Sequence, residues 1–264
     1  MRVSIDHLTR YVYEMPVRYS TQYLRLVPPT TDRQRVVEWR LDTPGSPLEL
    51  RDGYGNILHV LTIVSPITEI VIRSSGIVET SSSIDDETDE VKLSPLVFLR
   101  PTPLTRAEGP LVDFGERFRR RAGMLSGLRE LAEGVIARLP FQPGVTEVHS
   151  TAAEAFEAGN GVCQDHTHVF IACCRLLGIP SRYVSGYLYS SGGDQSAVAS
   201  HAWAEAWVVD RWRSFDVTNA RPAGEQHIRL AIGADYLEAS PVRGVRSGGG
   251  AEQMIAIAIV GVDQ

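Results

Sequence analysis

A glycine-rich turn running straight into a helix that opens on a cysteine constrains this chain more than any other stretch. In Gly159-Asn160-Gly161-Val162-Cys163-Gln164-Asp165-His166-Thr167-His168-Val169-Phe170, the glycines permit a tight turn and leave the sulfur uncovered. Beyond Cys163, the apolar residues Val169, Phe170, Cys173, Leu176 and Leu177 recur at helical spacing, until Gly178 and Pro180 stop the helix. Cys163 therefore falls in a first helical turn, among N–H groups with no intrahelical partner and at the positive end of the helix dipole. Both favour the thiolate, which is the nucleophilic form of cysteine. Cys173 and Cys174 lie mid-helix in an apolar context and are expected to be buried structural thiols.

A nucleophilic thiolate needs a base that also protonates the leaving group, and a third group to orient that base. Ser200 to Val209 alternates like a half-buried strand and has His201 at its head. Trp212 to Val217 reads as the next strand, reached by a turn near Asp210-Arg211, and it carries Asp216. Parity puts His201, Glu205 and Asp216 on one side. A turn centred between Asp210 and Arg211 sets Asp216 opposite Glu205, four residues or about 13 Å from the level of His201. A bulge, a strong twist or a different turn has to close that gap, and Glu205 is the rival orienter.

The strings GVCQDHTHVF, CRLLGIPSRYVSGY, HAWAEAW and FDVTN resemble the transglutaminase-like core of the papain-like cysteine enzymes, over roughly Phe141 to Val245. The start of the chain resembles the β-domain that precedes this core in bacterial members, through His7, Thr9, Tyr11, Tyr13, Pro16-Val17, Leu24-Arg25-Leu26, Asp52 and Gly55-Asn56. The resemblance implies Cys163 as nucleophile, His201 as general base and acid, and Asp216 as orienter, with the gap closed. The family often has proline after the aspartate, where Val217 stands here; that position shapes a turn and does no chemistry. The implied fold is α+β: an N-terminal β-sandwich-like domain over residues 1–100, then a papain-like core over 101–264 with helices packed on an antiparallel sheet. The resemblance also implies that a final strand, Met254 to Val262, joins the core sheet.

The residue patterns agree with that division. Val3, Ile5, His7, Thr9, Tyr11 and Tyr13 share one face of a strand. Arg35–Leu41, Ile57–Val64 and Ile67–Val78 read as further strands, with a turn at Asp52–Asn56 and a bulge at Gly76. Thr80–Glu90 is Ser-rich and then acidic, a solvated loop. Leu128 to Leu139 is apolar at helical spacing and closed by Pro140. Thr151 with Glu154 forms a capping box for a short helix ending at Gly159. Arg182–Tyr189 is a strand, and the Gly/Ser loop Ser190–Ser200 delivers the chain to His201 and rims the cleft.

Charge and composition exclude several roles. A net charge of −6 gives no electrostatic footprint for nucleic acid or anionic lipid, and Arg117, Arg119, Arg120 and Arg121 read as a solvated helix face. The longest apolar run, Met254–Val262, is too short to span a bilayer. Met1 leads directly into strand-like residues without a signal peptide, and three cysteines cannot all pair, so a reducing cytoplasm is expected. Cys163, His166 and His168 do not have a strong zinc spacing, nothing resembles a calcium loop, and no cofactor is expected. Asp165 and His168 are expected to brace the helix start, and His166 to edge the cleft. Trp203, Trp207 and Tyr187 read as core or cleft wall. Gln164 follows the cysteine, so it does not match papain's upstream oxyanion donor; the Cys163 N–H and one further group are expected instead. The expected activity is hydrolysis of a peptide or amide bond in a peptide or protein substrate. Acyl transfer to an amine and a non-catalytic binding role on the same fold are the alternatives.

Overall fold

The computed structural model describes residues 1–82, 93–144, 146–190 and 200–262. Five strands come first: β1 (Arg2–Leu24), β2 (Gln34–Asp42), β3 (Leu48–Arg51), β4 (Ile57–Ile63) and β5 (Ile67–Thr80). Four helices follow, α1 (Pro110–Glu116), α2 (Leu125–Arg138), α3 (Ala152–Ala158) and α4 (Cys163–Leu176). The remaining elements are β6 (Ser181–Leu188), β7 (Ser200–Val208), β8 (Arg211–Phe215), β9 (His227–Gly233), α5 (Tyr236–Ala239), β10 (Val242–Gly248) and β11 (Glu252–Val262). The acidic loop and the Gly/Ser loop expected from the sequence lie for the most part outside the described residues.

The β-rich start forms one curled antiparallel sheet in the order β2-β5-β1-β4-β3, and β10 and β11 also pair with β1. β1 can serve so many neighbours because its register breaks between Val12 and Val17, and again between Val17 and Tyr19. Such breaks bend a strand and increase its twist. Its first half pairs with β5 and β11, its second with β4 and β10. The strand expected at Met254–Val262 therefore exists, but it joins β1 (Val3 opposite Val262, Tyr13 opposite Glu252) and not the core sheet. Alternation predicts that it is a strand; it does not choose between two sheets with open edges. No bulge falls at Gly76, which pairs regularly with Trp39; the break lies near it in β2, between Val36 and Glu38, which face Val78 and Ile77. A Cβ on Gly76 would stand 2.2 Å from the Glu38 carbonyl oxygen, so the bulged backbone occupies the space a side chain would need.

The core is a second antiparallel sheet in the order β8-β7-β6-β9, with α4 laid across it. Ala202, Ala204 and Ala206 of β7 are small enough to let the helix approach, and Val169, Phe170 and Cys173 pack down onto them. Leu111, Leu128, Leu131, Val135 and Phe156 close the other side of α4, so that helix is buried nearly all round. Fully burying a side chain such as Phe170 contributes about 1.5–3 kcal/mol.

Two side-chain amides join the sheets. Gln34 accepts from the Arg229 N–H (2.8 Å) and donates to the Arg229 carbonyl (2.9 Å). Asn56 does the same with Ile232, at 2.8 Å for each bond. Each amide thus occupies a backbone donor and acceptor along the outer edge of β9, as a neighbouring strand would. Asn56 is itself held by Asp52, which also takes the Arg25 guanidinium. Among the described residues, no helix is long and apolar enough to cross a membrane.

Candidate active site

The start of α4 is built by close packing of its own first turn. Asp165 Oδ2 accepts from the Val162 N–H (2.8 Å) and from the Thr146 hydroxyl (2.7 Å). This folds the entering chain over the carboxylate, and a Cβ on Gly161 would lie 2.7 Å from Asp165 Cβ. Asp165 thus braces the helix start as expected. Gly159, at φ +76°, closes α3 and turns the chain into this segment. Cys163 is the first residue of α4 and is half-buried, whereas Cys173 and Cys174 are fully buried; all three are free thiols. Burial pushes the Cys173 thiol up to about 12 and Cys174 well above its ordinary value.

The β7–β8 hairpin sets the imidazole against a carboxylate. Its turn is Val209-Asp210, both at positive φ, one residue earlier than predicted. Val208 pairs with Arg211 and Ala204 with Phe215, so Asp216 falls level with Trp203 instead of Glu205. That halves the axial gap to His201, to about 7 Å. The pairing ends at Phe215, and Asp216 turns away into a bridge with Arg221. The side chains then close the rest: His201 Nε2–H donates to Asp216 Oδ1 at 2.9 Å. The rival Glu205 is engaged elsewhere, in a buried pair with the Arg182 guanidinium at 2.5 Å.

With Nε2 bound to Asp216, the other ring nitrogen of His201 is left to the cleft that it shares with Cys163. Burial alone would lower the His201 pKa. The hydrogen bonds to Asp216 and Cys163, with the charges on both, outweigh burial and raise it to about 9. Burial likewise disfavours the Asp216 carboxylate, but donors on both oxygens hold its pKa well below the ordinary value. Those donors are His201 and the Asn219 backbone on Oδ1, and the Asn219 amide (2.7 Å) and His227 (2.9 Å) on Oδ2.

Cys163 and His201 share a cleft of about 250 Å³. One wall comes from the core, including Gln164, Tyr183, Ser200 and Tyr236; the other comes from the seven-stranded sheet, through His7, Thr9 and Tyr11 of β1 and Met254 and Ala256 of β11. Burial, and after it the charge of Cys163, raises the pKa of the Tyr183 and Tyr236 hydroxyls, so both stay protonated. His7 bonds through Nδ1 to the Tyr187 hydroxyl (2.7 Å), and burial holds its pKa down at about 4.

Two histidines of α4 take other places than expected. His166 does not edge the cleft: it is buried, donating from Nε2 to the Leu139 carbonyl (2.9 Å) with Nδ1 against the Thr218 hydroxyl (3.0 Å). His168 Nε2 accepts from the Tyr236 N–H (3.1 Å), so it braces α5, not the start of α4. Tyr183, Tyr236, Asn219 and His227 carry no role in the sequence pattern. His227 has the signal that marks His201, a histidine heading an alternating apolar strand (Ile228, Leu230, Ile232). His201, Asp216 and His227 offer ligand atoms within 4.8 Å of one another. However, the Gly224 N–H occupies the His227 Nδ1 lone pair (3.1 Å), which puts the ring proton on Nε2, the nitrogen that would have to ligate.

A thiol at a helix start, laid against a four-stranded antiparallel sheet that carries an imidazole–carboxylate pair, is the transglutaminase-like core fold. The chain belongs to the transglutaminase-like superfamily: residues 114–217 match that superfamily, and residues 3–79 match the bacterial transglutaminase-like N-terminal region. It is 32% identical to an uncharacterized protein of Mycobacterium leprae (strain TN), with 96% of each chain covered. It is 30% identical to an uncharacterized protein of Mycobacterium tuberculosis (strain H37Rv), covering 92% of this chain and 87% of that one. The crystal structure described as "a Putative Cysteine Protease from Cytophaga hutchinsonii" has a TM-score of 0.77 over 99% of this chain and 90% of that one; at 19% identity, this likeness shows the fold.

Proposed function

We propose that the protein is a thiol-dependent hydrolase that cleaves a peptide or amide bond in a peptide or protein substrate. The Cys163 thiolate attacks the carbonyl carbon, and the oxyanion forms beside the Cys163 N–H at the positive end of α4. The C–N bond then breaks as the His201 imidazolium gives its proton to the departing amine, which leaves a thioester on Cys163. Water attacks the thioester and its proton passes to His201; the C–S bond breaks, releasing the acid and restoring the thiolate–imidazolium pair. Asp216 accepts the Nε2–H throughout and fixes the tautomer.

One observation carries the reading: Asp216 takes the Nε2–H of His201 and leaves its other ring nitrogen to the cleft that His201 shares with Cys163. If a primary amine replaces water, the same thioester yields acyl transfer. The half-exposed Cys163 favours water as the acceptor.

The test is iodoacetamide alkylation of each cysteine between pH 4 and 9, read by mass spectrometry, on wild type and His201→Ala. Rapid modification of Cys163 well below pH 8, slowed in the variant, supports the reading. Turnover of amide substrates with and without added amine then separates hydrolysis from transfer. If Cys163 reacts only above the ordinary thiol pKa of about 8.5, the nucleophile assignment fails and a binding role takes its place.

A further inference from the structure

We propose that His227 is a positioning residue: it holds the Asp216 carboxylate from the side opposite His201, so that the acceptor which orients His201 cannot turn away. This rests on the roles given above to Cys163, His201 and Asp216. His227 lies beyond residues 114–217, where the superfamily match ends.

The geometry makes His227 a fixed donor. Its side chain is 3% exposed, at the head of β9, and Nε2 lies 2.9 Å from Asp216 Oδ2. The Gly224 N–H donates to Nδ1 at 3.1 Å, which leaves the single ring proton on Nε2, aimed at the carboxylate. Burial keeps the ring neutral despite the neighbouring charge, so His227 does not compete with His201 for the role of base. Trp203 meets its ring edge-on at 5.2 Å and stacks on His201 at 6.4 Å, which places one indole against both imidazoles. The two imidazoles stand 5.9 Å apart, with the carboxylate between them.

Asp216 is wholly buried, and a buried carboxylate is stable only while its oxygens are supplied with donors. The other groups that face it are Asn219, the half-exposed Arg221 with Nε 4.0 Å from Oδ2, and the buried His166, which senses its charge. Arg221 is too far and too wet to replace the lost hydrogen bond. Removing the His227 N–H therefore lets Asp216 take up a proton at higher pH and loosens the seat of His201.

The experiment compares His227→Leu, His227→Asn and His227→Gln. A glutamine amide nitrogen can take the place of Nε2 and donate to Asp216; an asparagine amide matches Nδ1 and falls short. The readouts are the Cys163 alkylation rate against pH, the split between kcat and KM for an amide substrate, and Tm. Leu and Asn are expected to slow Cys163 alkylation about tenfold at pH 6, to raise the acid midpoint by about one pH unit, and to lower kcat with KM unchanged. Gln is expected to restore the midpoint and most of the rate. If Leu and Asn lower Tm but leave the acid midpoint and the rate per folded molecule at the wild-type value, or if Gln behaves as Asn does, the proposal is overturned. If Leu does not fold, the contrast between Asn and Gln decides alone. Failure of the parent reading looks different: wild-type Cys163 then lacks rapid alkylation at low pH, and the proposal falls with it.

Discussion

Two charged pairs sit on β7, four residues apart, and only one of them opens on the cleft. Glu205 faces Arg182 directly across the β6–β7 ladder, and the pair is almost fully buried. The Trp212 ring closes over the guanidinium at 4.1 Å. His201 is also placed on β7, but the residue across from it on β6 is Gly186, which offers no side chain. A Cβ there would meet the Ile228 carbonyl oxygen at 2.1 Å and the Trp203 ring at 2.7 Å. His201 therefore finds its partner outside the ladder, in Asp216, and keeps one nitrogen for the cleft. One strand thereby serves both purposes. A buried pair completed across the ladder has no free valence and is structural; a pair reached around the end of the ladder leaves a face for chemistry.

The contrast can be broken from either side. The largest expected effect is on the open pair: His201→Ala should cut Cys163-dependent turnover per folded molecule by about 10⁶-fold, with a smaller loss of Tm than Glu205→Ala because Asn219 and His227 still donate to Asp216, as measured by steady-state kinetics and thermal melting. Glu205→Ala should do the reverse. Taking the Glu205 carboxylate from the buried Arg182 guanidinium should cost about 3–5 kcal/mol in a urea titration, while Cys163 alkylation per folded molecule stays at the wild-type rate. An equal loss of alkylation in both variants would erase the distinction.

Asp216→Asn sharpens it further. His201 is charged below its pKa and neutral above it, and the Asp216 carboxylate helps hold that pKa at about 9. Without the carboxylate, the basic limb of kcat should move down from about 9 toward the ordinary histidine value of about 6.5. A pH–rate profile that keeps its basic limb would remove Asp216 from the pair. The smallest expected effect lies away from both pairs: Asn56→Ala leaves the Ile232 N–H and carbonyl without partners. It should cost about 2 kcal/mol, with the pH profile unchanged.

Much of this site was legible in the chain before any fold was known. Cys163 could be placed at a helix start because glycines, apolar spacing and the stop at Gly178 agree, and Thr151 with Glu154 marks its helix N-terminus in the same local way. His201 could be placed at the head of a strand by alternation alone. The partner of His201 was less legible, because the hairpin register hangs on one residue of the turn. Val209 is β-branched and sits at φ 52°, a conformation such residues seldom adopt, so the local signal points one residue too far along. His227 was missed because its meaning depends on Asp216 and Gly224, which come together only when β9 docks beside β6. For the same reason, alternation marked β11 as a strand but not which sheet it joins.

The pairing of β1 with β11 also orders events in time. Ser4 contacts Gly261, 257 residues further along the chain. A ribosome delivers β1 long before its neighbour exists, so one edge of that strand must wait, shielded or unpaired, through almost the whole of synthesis. Met254 and Ala256, which complete one wall of the cleft, arrive with that same late segment. Contacts so distant in sequence close slowly. The thiol-bearing helix is translated some ninety residues before the strand that completes the wall facing it, so the nascent chain carries Cys163 without a finished cleft around it.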